Sequence, residues 1–174
     1  WDNWHEGKAL EFAGKFYTHT LMTPFFTPSG NDFGAPKVFL AAVGPKMTEV
    51  AGEVADGMIV HAFTTEKYLR ETTLPSLEKG FAKAGKSRAD FEISYPVFVC
   101  TGQTEEELEE AKKATAQQIA FYGSTPAYKP VLDSIGVGDL QGDLNSMSKQ
   151  GRWVEMGELI TPEIMSEFAI IGEP

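Results

Sequence analysis

The sequence predicts an α/β fold in which parallel strands alternate with helices. Residues from Val38 to Val43 form a continuous apolar run, which is typical of a parallel strand covered on both faces. Gly44 and Pro45 follow at once, and Pro suits the first position of a helix because its missing N–H would have no partner there. Helical patterns of about 10 to 20 residues separate this run from two further apolar runs, which is the β, α, β, α order of an α/β protein.

Residues 1–36 are expected to form a hairpin and loops. The stretch Phe12–Tyr17 resembles a β-turn between two short extended pieces. Pro24, Pro28 and Pro36 argue against a helix in this part of the chain. The segment is dense in aromatic side chains, which must either pack on another surface or line a pocket; we expect packing, because such side chains dominate core burial.

The central part of the chain, residues 37–63, is expected to form a strand, a helix and a second strand. Asp56 and Gly57 end the predicted helix, and Met58–Val60 starts the second buried strand. Apolar residues recur at helical spacing between the two strands, so we expect that face of the helix to contact a sheet. This predicted stripe consists of Met47, Val50, Ala51 and Val54.

The next helix is expected to begin at a threonine and to end at Gly85. Thr64 and Thr65 are both residue types that cap a helix N-terminus, so either one can supply the cap. Pro75 lies inside the helical pattern and is expected to kink the helix or to split it.

A third strand is predicted over Phe91–Cys100. Pro96 lies within it and lacks the N–H that a sheet requires, which indicates a sheet edge or a bulge. Thr104 and Glu107 then form a capping box at the start of a long helix. Four shorter helical segments are predicted downstream, and they begin near Ser124, Asp139, Arg152 and Thr161.

Composition and charge exclude several classes of protein. The formal net charge is -10, which argues against a nucleic-acid partner because phosphate backbones require a basic surface. No apolar run approaches the roughly 20 residues of a membrane-spanning helix. The chain has a single cysteine, Cys100, so no internal disulfide is possible and a reducing cytoplasm is the predicted location. The sequence starts at Trp1 and shows no signal peptide, and we expect it to be a fragment, a processed form or an excised part of a longer protein.

The turn at Gly44 is the first candidate site. A glycine at a strand end, followed directly by a helix N-terminus, presents unpaired N–H groups and the positive end of the helix dipole. Lys46 adds a positive charge, and phosphate or carboxylate is the ligand that such a turn suits. The alternative is that Gly44 and Pro45 serve only to make the turn tight, which is routine in α/β folds.

The chain resembles the luciferase-like monooxygenase superfamily, and within it the enzymes that use the deazaflavin coenzyme F-420. The resemblance covers nearly the whole chain, and the block AAVGPKM…AGEVADGM is its most specific part. The segments that carry it are GKFYTHTLMTPFF, FLAAVGPKMTEVAGEVADGMIVHAFTT, ISYPVFVCTGQTEEELEEA, IAFYGSTPAYKPVL and GRWVEMGELI.

This resemblance implies part of a TIM (β/α)8 barrel, with about strands 5 to 7 and their helices in this chain. The fifth, sixth and seventh strands would be Val38–Val43, Met58–Val60 and Glu92–Val99. Strands one to four and the eighth strand are expected to lie outside the chain, since a complete barrel typically needs roughly 250 residues. The chain is thus expected to be the carboxy-terminal portion of a single domain, incomplete and inactive alone, with a hairpin and loop segment at 1–36 and βα units with terminal helices at 37–174.

The resemblance also implies a cofactor-binding site at the Gly44 turn. In family members, the loop after the fifth strand and the following helix N-terminus bind the cofactor phosphate. Pro45 cannot donate from its own nitrogen, so backbone donors would come from its neighbours. The residues carried over by the resemblance are Val43, Gly44, Pro45, Lys46 and Met47.

Other candidate residues lie at the ends of the predicted strands. His61 and Phe63 follow the sixth strand, where barrel active sites form, and so can face a flavin-like ring or the substrate; His61 can equally be a turn or core histidine. His19 is a weaker candidate, and Cys100 is expected to be a small buried apolar residue rather than a nucleophile. The acidic run Glu105–Glu107 indicates a solvated helix face, and no metal site is predicted. We name no catalytic acid or base, because in this family such residues come largely from the first strands.

The predicted function is that of an oxidoreductase acting on a small organic substrate. It would transfer a hydride between the substrate and coenzyme F-420, and the cofactor supplies the difficult chemistry. With FMN the reaction would be oxygen activation and monooxygenation.

One alternative is a non-catalytic half-barrel that associates with itself through open sheet edges, and a homo-oligomer is predicted in either case. A third hypothesis, an aldolase-type phosphate-binding barrel, would require a Schiff-base lysine at a strand end, and the three predicted strands offer none.

Overall fold

A computed structural model describes residues 2–27 and 32–172, and the chain forms two compact units, Trp1–Lys37 and Val38–Pro174. The first unit contains the predicted hairpin, in which the antiparallel strands pair Phe12 with His19 and Ala13 with Thr18. Pro28 lies outside the described residues. The described elements of this unit are helix α1 (Asp2–His5), strands β1 (Phe12–Ala13) and β2 (Thr18–His19), and a single 3-10 turn (Pro24–Phe26).

The aromatic side chains of the first unit are largely exposed, so the expected packing is not found among the described residues. Phe16, Phe25 and Phe33 are all exposed. Phe25 and Phe26 form an edge-on ring pair with centroids 5.0 Å apart, and the ammonium group of Lys15 lies 5.3 Å from the ring centroid of Phe16. None of the described residues of this unit is buried, because two-residue strands and a one-turn helix are too short to enclose a core.

The second unit alternates strands and helices, which confirms the predicted α/β class. Short 3-10 turns at Arg88–Asp90 and Pro126–Tyr128 and a π-helical turn at Leu69–Thr73 connect some of its elements. Its elements in chain order are β3 (Phe39–Ala42), α2 (Pro45–Val54), β4 (Gly57–Val60), α3 (Glu66–Tyr68), α4 (Leu74–Ala84), β5 (Glu92–Ser94), β6 (Phe98–Cys100), α5 (Glu105–Gly123), α6 (Lys129–Ser134), α7 (Leu140–Lys149), α8 (Trp153–Gly157), α9 (Pro162–Phe168) and β7 (Ala169–Ile171).

Two parallel sheets organise this unit. Strands β3, β4 and β5 lie side by side in that order, and strands β6 and β7 form a second sheet. The strand predicted over 91–100 is therefore broken into two, and each half pairs with a different neighbour. Pro96 lies in the break, just beyond the edge strand β5, which agrees with its missing backbone donor.

Strand β7 corrects the prediction that only three parallel strands lie in this chain. Ala169–Ile171 runs parallel to β6 and pairs Val99 with Ile170. Helix α9 passes into this strand directly at Ala169, whose backbone is already extended at φ -127° and ψ 144°. The three residues are apolar, but they are too few to be recognised as a strand from the sequence alone.

Helix α2 begins at Pro45 as predicted, but the face that it buries differs from the predicted stripe. Met47, Val50 and Val54 are exposed, whereas the buried residues are small ones, Thr48, Ala51 and Gly52. The reason is the close packing of helix α4, since a Cβ atom added to Gly52 would lie 2.6 Å from the carbonyl oxygen of Leu77. Such a close approach excludes large side chains from the contact.

The helical segment after β4 is split at the predicted position. A π-helical turn precedes α4, and the N–H of Leu74 donates to the carbonyl of Leu69, five residues back. Pro75 then occupies the first turn of α4, where its missing donor costs nothing. Gly85 ends the helix with φ 65°, as predicted for a left-handed cap.

The buried side chains of the second unit form two clusters. One lies between the three-stranded sheet and helices α2 and α4, and it includes Met58, Leu77 and Phe81. The other surrounds helix α5 and includes Phe63 and Ile119. Over the described ranges, none of the helices is both long enough and apolar enough to cross a membrane. The cytoplasmic location stays a prediction.

Candidate functional site

A cavity of about 540 Å³ lies at the carboxyl ends of strands β3 and β4. Parallel α/β sheets place their ligand sites at this end of the strands. The lining is mostly apolar, and its described side chains include no Asp, Glu, Lys or Arg. The lining residues are Ala41, Ala42, Val43, Gly44, Met47, Ile59, Val60, His61, Ala62, Pro96, Tyr122 and Tyr128.

The Gly44 turn forms one wall of this cavity. The carbonyl of Gly44 accepts from the N–H of Thr48 at 3.1 Å and from its hydroxyl at 3.0 Å. The helix N–H groups that come before Thr48, those of Lys46 and Met47, therefore have no acceptor within the helix. A Cβ atom added to Gly44 would meet no heavy atom within 4 Å, so the space above the turn is open. These donors, at the positive end of α2, can hold an anion.

The five residues predicted to bind a cofactor phosphate lie together at this turn. Val43, Gly44 and Met47 line the cavity, and Pro45 is the first residue of α2. The side chain of Lys46 is exposed and forms no ion pair with another described residue. Its ammonium group is thus available to an anion at the turn.

Tyr68 connects the turn to the helix that follows β4. Its hydroxyl donates to the carbonyl of Val43 at 3.3 Å, and its N–H donates to the hydroxyl of Thr65 at 3.1 Å. Burial raises the pKa of Tyr68, so the hydroxyl keeps its proton. The sequence alone did not identify Tyr68 as part of the site, because a contact across 25 residues leaves no local pattern.

His61 is held between a backbone donor and two tyrosine rings. Its Nδ1 accepts from the N–H of Phe63 at 3.0 Å. The ring of Tyr122 is perpendicular to the imidazole at 4.7 Å, and the ring of Tyr128 is tilted against it at 5.0 Å. Burial lowers the pKa of His61, which favours the neutral imidazole. Sequence reasoning identified His61 but neither tyrosine.

Phe63 does not line the cavity, although it follows the same strand as His61. Its side chain is fully buried and stacks on Phe168 with ring centroids 4.7 Å apart.

Cys100 is also fully buried, and its thiol lies 3.2 Å from the hydroxyl of Thr115, in agreement with a structural role. His19 belongs to the hairpin of the first unit, where it is exposed and stacks beside aromatic rings.

No group of three or more His, Cys, Asp or Glu side chains within residues 2–27 and 32–172 is placed to hold a metal ion. Glu105–Glu107 form the exposed first turn of helix α5. Glu107 accepts from the N–H of Gln103 at 2.7 Å, and Thr104 accepts from the N–H of Glu107 at 3.2 Å. These residues therefore cap a helix.

Parallel strands followed by helices, with an open cavity at the strand ends, define an α/β domain of the kind that places its ligand sites at this edge of the sheet. Within that class the chain belongs to the luciferase-like monooxygenase family, whose model matches residues 1–174.

The relatives of the chain include both uncharacterized proteins and named reductases. An uncharacterized protein of Mycobacterium tuberculosis is 49% identical over 172 residues, which are 99% of this chain and 51% of that protein. A 5,10-methylenetetrahydromethanopterin reductase of Archaeoglobus fulgidus is 28% identical over 173 residues, or 97% of this chain and 49% of the reductase. The chain spans about half the length of the curated relatives that it matches.

The fold agrees with that of a solved reductase. The structure of the coenzyme F-420-dependent tetrahydromethanopterin reductase of Methanopyrus kandleri matches with a TM-score of 0.74 and 21% identity. The match covers 99% of this chain and 48% of that structure.

Proposed function

We propose that the chain is the carboxy-terminal part of a barrel oxidoreductase that transfers a hydride between coenzyme F-420 and a small organic substrate. The observation that carries the proposal is the open Gly44 turn at the wall of an apolar cavity. Membership of the luciferase-like family and the reductase names of several relatives support it. The phosphate of the cofactor would bind at the turn, and its ring would lie against the apolar lining.

The proposed barrel extends the strands of the second unit. Parallel strands with helices packed against them are the repeating unit of a (β/α)8 barrel. Val99 and Ile170 are register partners on strands β6 and β7, and both are exposed. Ile59 on strand β4 is exposed as well. Exposed apolar side chains on these strands suit the packed interior of a barrel.

The residues at the turn fit a phosphate group. The N–H groups of Lys46 and Met47 supply donors, the ammonium group of Lys46 supplies charge, and Gly44 leaves room for the oxygens. When bound, a deazaflavin exchanges a hydride with the substrate at its C5 atom. The chain itself would hold and orient the cofactor, and its apolar lining would keep water from the reacting atoms.

FMN is the alternative cofactor, because its phosphate would use the same donors. The two are distinguished by oxygen, since a deazaflavin lacks the N5 atom that supports oxygen chemistry. An activity that proceeds at the same rate without oxygen favours F-420, whereas a strict need for oxygen favours FMN.

Replacement of Gly44 by valine tests the phosphate site. In the complete polypeptide that contains this chain, we expect Gly44→Val to weaken F-420 binding about tenfold or more, equivalent to at least about 1.4 kcal/mol. The added side chain fills the open space above the turn, and the backbone of Gly44, at φ -74° and ψ 153°, suits valine without strain. The dissociation constant is measured by fluorescence titration.

A matched control separates binding from folding. Gly142 in helix α7 is an equally open glycine, and Gly142→Val should leave the dissociation constant unchanged. Unfolding curves of both variants report whether the fold is intact. Unchanged F-420 affinity in a folded Gly44→Val protein would rule out the phosphate site.

A further inference from the structure

We infer that His61 is a specificity-determining residue, which donates a hydrogen bond from Nε2 to an uncharged acceptor of the molecule bound in the cavity. The acceptor is a carbonyl oxygen or an unprotonated ring nitrogen. This inference rests on the proposed function for the identity of the ligand, whereas the donor itself follows from the contacts of His61.

The position of the imidazole proton follows from one hydrogen bond. In a neutral histidine, one ring nitrogen carries the proton and the other accepts. The N–H of Phe63 is a donor only, and it lies 3.0 Å from Nδ1 of His61. Nδ1 is therefore the acceptor, and the proton is on Nε2. The ring thus offers a donor, and no acceptor, to a ligand.

The orientation of the ring is fixed on several sides. Tyr122 is provided by helix α5 and Tyr128 by the following 3-10 turn, and both rings contact the imidazole. The tyrosines are themselves packed, since Tyr128 stacks on the buried Phe63 with ring centroids 5.8 Å apart. A donor that is held in place before binding costs less conformational entropy when the ligand arrives.

The surroundings of His61 favour an uncharged acceptor over an anion. The described side chains that line the cavity carry no carboxylate, ammonium or guanidinium group. Among the described residues, the titratable side chains whose rings contact His61 are Tyr122 and Tyr128. Burial also lowers the pKa of His61, so the imidazole stays neutral. A neutral donor in an apolar cavity recognises a dipole, and the charged end of the ligand is left to the Gly44 turn.

This assignment differs from a role in proton abstraction. A general base needs a free nitrogen lone pair that faces the substrate. In His61 the lone pair of Nδ1 is used by the backbone, and Nε2 already holds the proton. His61 would therefore bind and select the ligand, and it would not take a proton from it.

Three proteins test the donor: the complete wild-type polypeptide, His61→Phe and His61→Gln, each titrated with F-420. Phenylalanine keeps the ring shape without a donor, whereas glutamine places an amide N–H near the position of Nε2. We expect His61→Phe to weaken binding roughly 3- to 10-fold, the usual range for one hydrogen bond between neutral groups. His61→Gln should regain most of the lost affinity. An affinity in His61→Phe equal to that of the wild type would overturn the inference.

A second measurement does not depend on any variant. Nitrogen-15 NMR of the histidine-labelled wild-type protein identifies the protonated ring nitrogen. We expect a protonated Nε2 and a bare Nδ1, and a shift of the Nε2 signal when F-420 is added. A protonated Nδ1 would overturn the inference even if His61→Phe fails to fold. If the wild-type protein binds no F-420, the proposed function fails, and the tautomer measurement alone then decides the donor assignment.

Discussion

Thr64 and Thr65 are neighbours whose hydroxyl groups differ in their hydrogen bonding. The hydroxyl of Thr65 accepts from the N–H of Tyr68 at 3.1 Å and so caps helix α3. The hydroxyl of Thr64 is buried and has no partner among the described residues. Both residue types favour a helix N-cap, so the sequence left the choice between them open.

This difference predicts opposite effects of the same substitution. Thr64→Val removes an unsatisfied buried hydroxyl and should raise the free energy of unfolding by about 1 kcal/mol. Thr65→Val removes the cap and should lower it by about 1 kcal/mol. Urea unfolding of the complete polypeptide measures both values. Destabilisation by Thr64→Val similar to that by Thr65→Val would show that the hydroxyl of Thr64 has a partner.

At the residue scale, the sequence predicted positions near the site better than it predicted their contacts. Gly44 and His61 were identified because glycine before a helix and residues after a buried strand are local signals. Tyr122 and Tyr128 lie on an element far along the chain, and their contact with His61 depends on how that element packs. A pattern along the sequence cannot contain that information.

At the scale of elements, the contact of helices α2 and α4 depends on two glycines. A Cβ atom added to Gly80 would collide with the carbonyl oxygen of Glu49 and would lie 2.7 Å from the nitrogen of Glu53. Gly52 faces α4 in the same way. The backbones thus touch directly, and an ion pair between Lys83 and Glu49 spans the contact.

Gly80→Ala tests this contact. Alanine favours a helix over glycine by about 1 kcal/mol, but here the clash with backbone atoms should give a net loss of stability of about 1 to 3 kcal/mol. The control is Gly142→Ala in helix α7, where an added Cβ meets nothing within 4 Å, and which should gain up to about 1 kcal/mol. Urea unfolding of the complete polypeptide measures both. A gain in stability in both variants would contradict the close approach.

The same contact explains why the predicted face of α2 was wrong. Periodicity assigns a helix face by the positions of large apolar side chains. Here the interface selects for small side chains, and the large ones, Met47, Val50 and Val54, lie on the exposed side. The existence of the helix and its start at Pro45 were predicted because they depend on local signals, a glycine, a proline and a strand end.

At the scale of the whole molecule, the alternation of strands and helices was predictable and the pairing of the strands was not. Apolar runs identified β3 and β4, whose parallel register aligns Ala42 with Val60. Strands β5 and β6, on either side of Pro96, pair with different neighbours because of β7, which lies about 70 residues further along the chain and is too short to be recognised as a strand from its own residues. The cavity at the strand ends follows from the parallel order and was expected at that place.

The exposed face of the sheets predicts how the isolated 174-residue chain behaves. Val99 and Ile170 are 56% and 63% exposed, side by side on two strands that have no further neighbours among the described residues. Open edges and a contiguous apolar face favour association with another copy. We therefore expect a concentration-dependent oligomer in analytical ultracentrifugation, and a stable monomer that unfolds in one sharp step would contradict this prediction.

A charged residue at Ile170 distinguishes the sheet face from other apolar surfaces. Ile170→Lys should shift the isolated chain towards monomer, because burying an unpaired ammonium group in an apolar contact is costly. Val54 on helix α2 is 64% exposed, so Val54→Lys is a control of equal exposure that should leave association unchanged. In the complete polypeptide, where we propose that further strands cover this face, Ile170→Lys should instead lower the free energy of unfolding. If Ile170→Lys changes neither association nor stability, the face is not an interface in either form, and the proposed barrel loses its structural support.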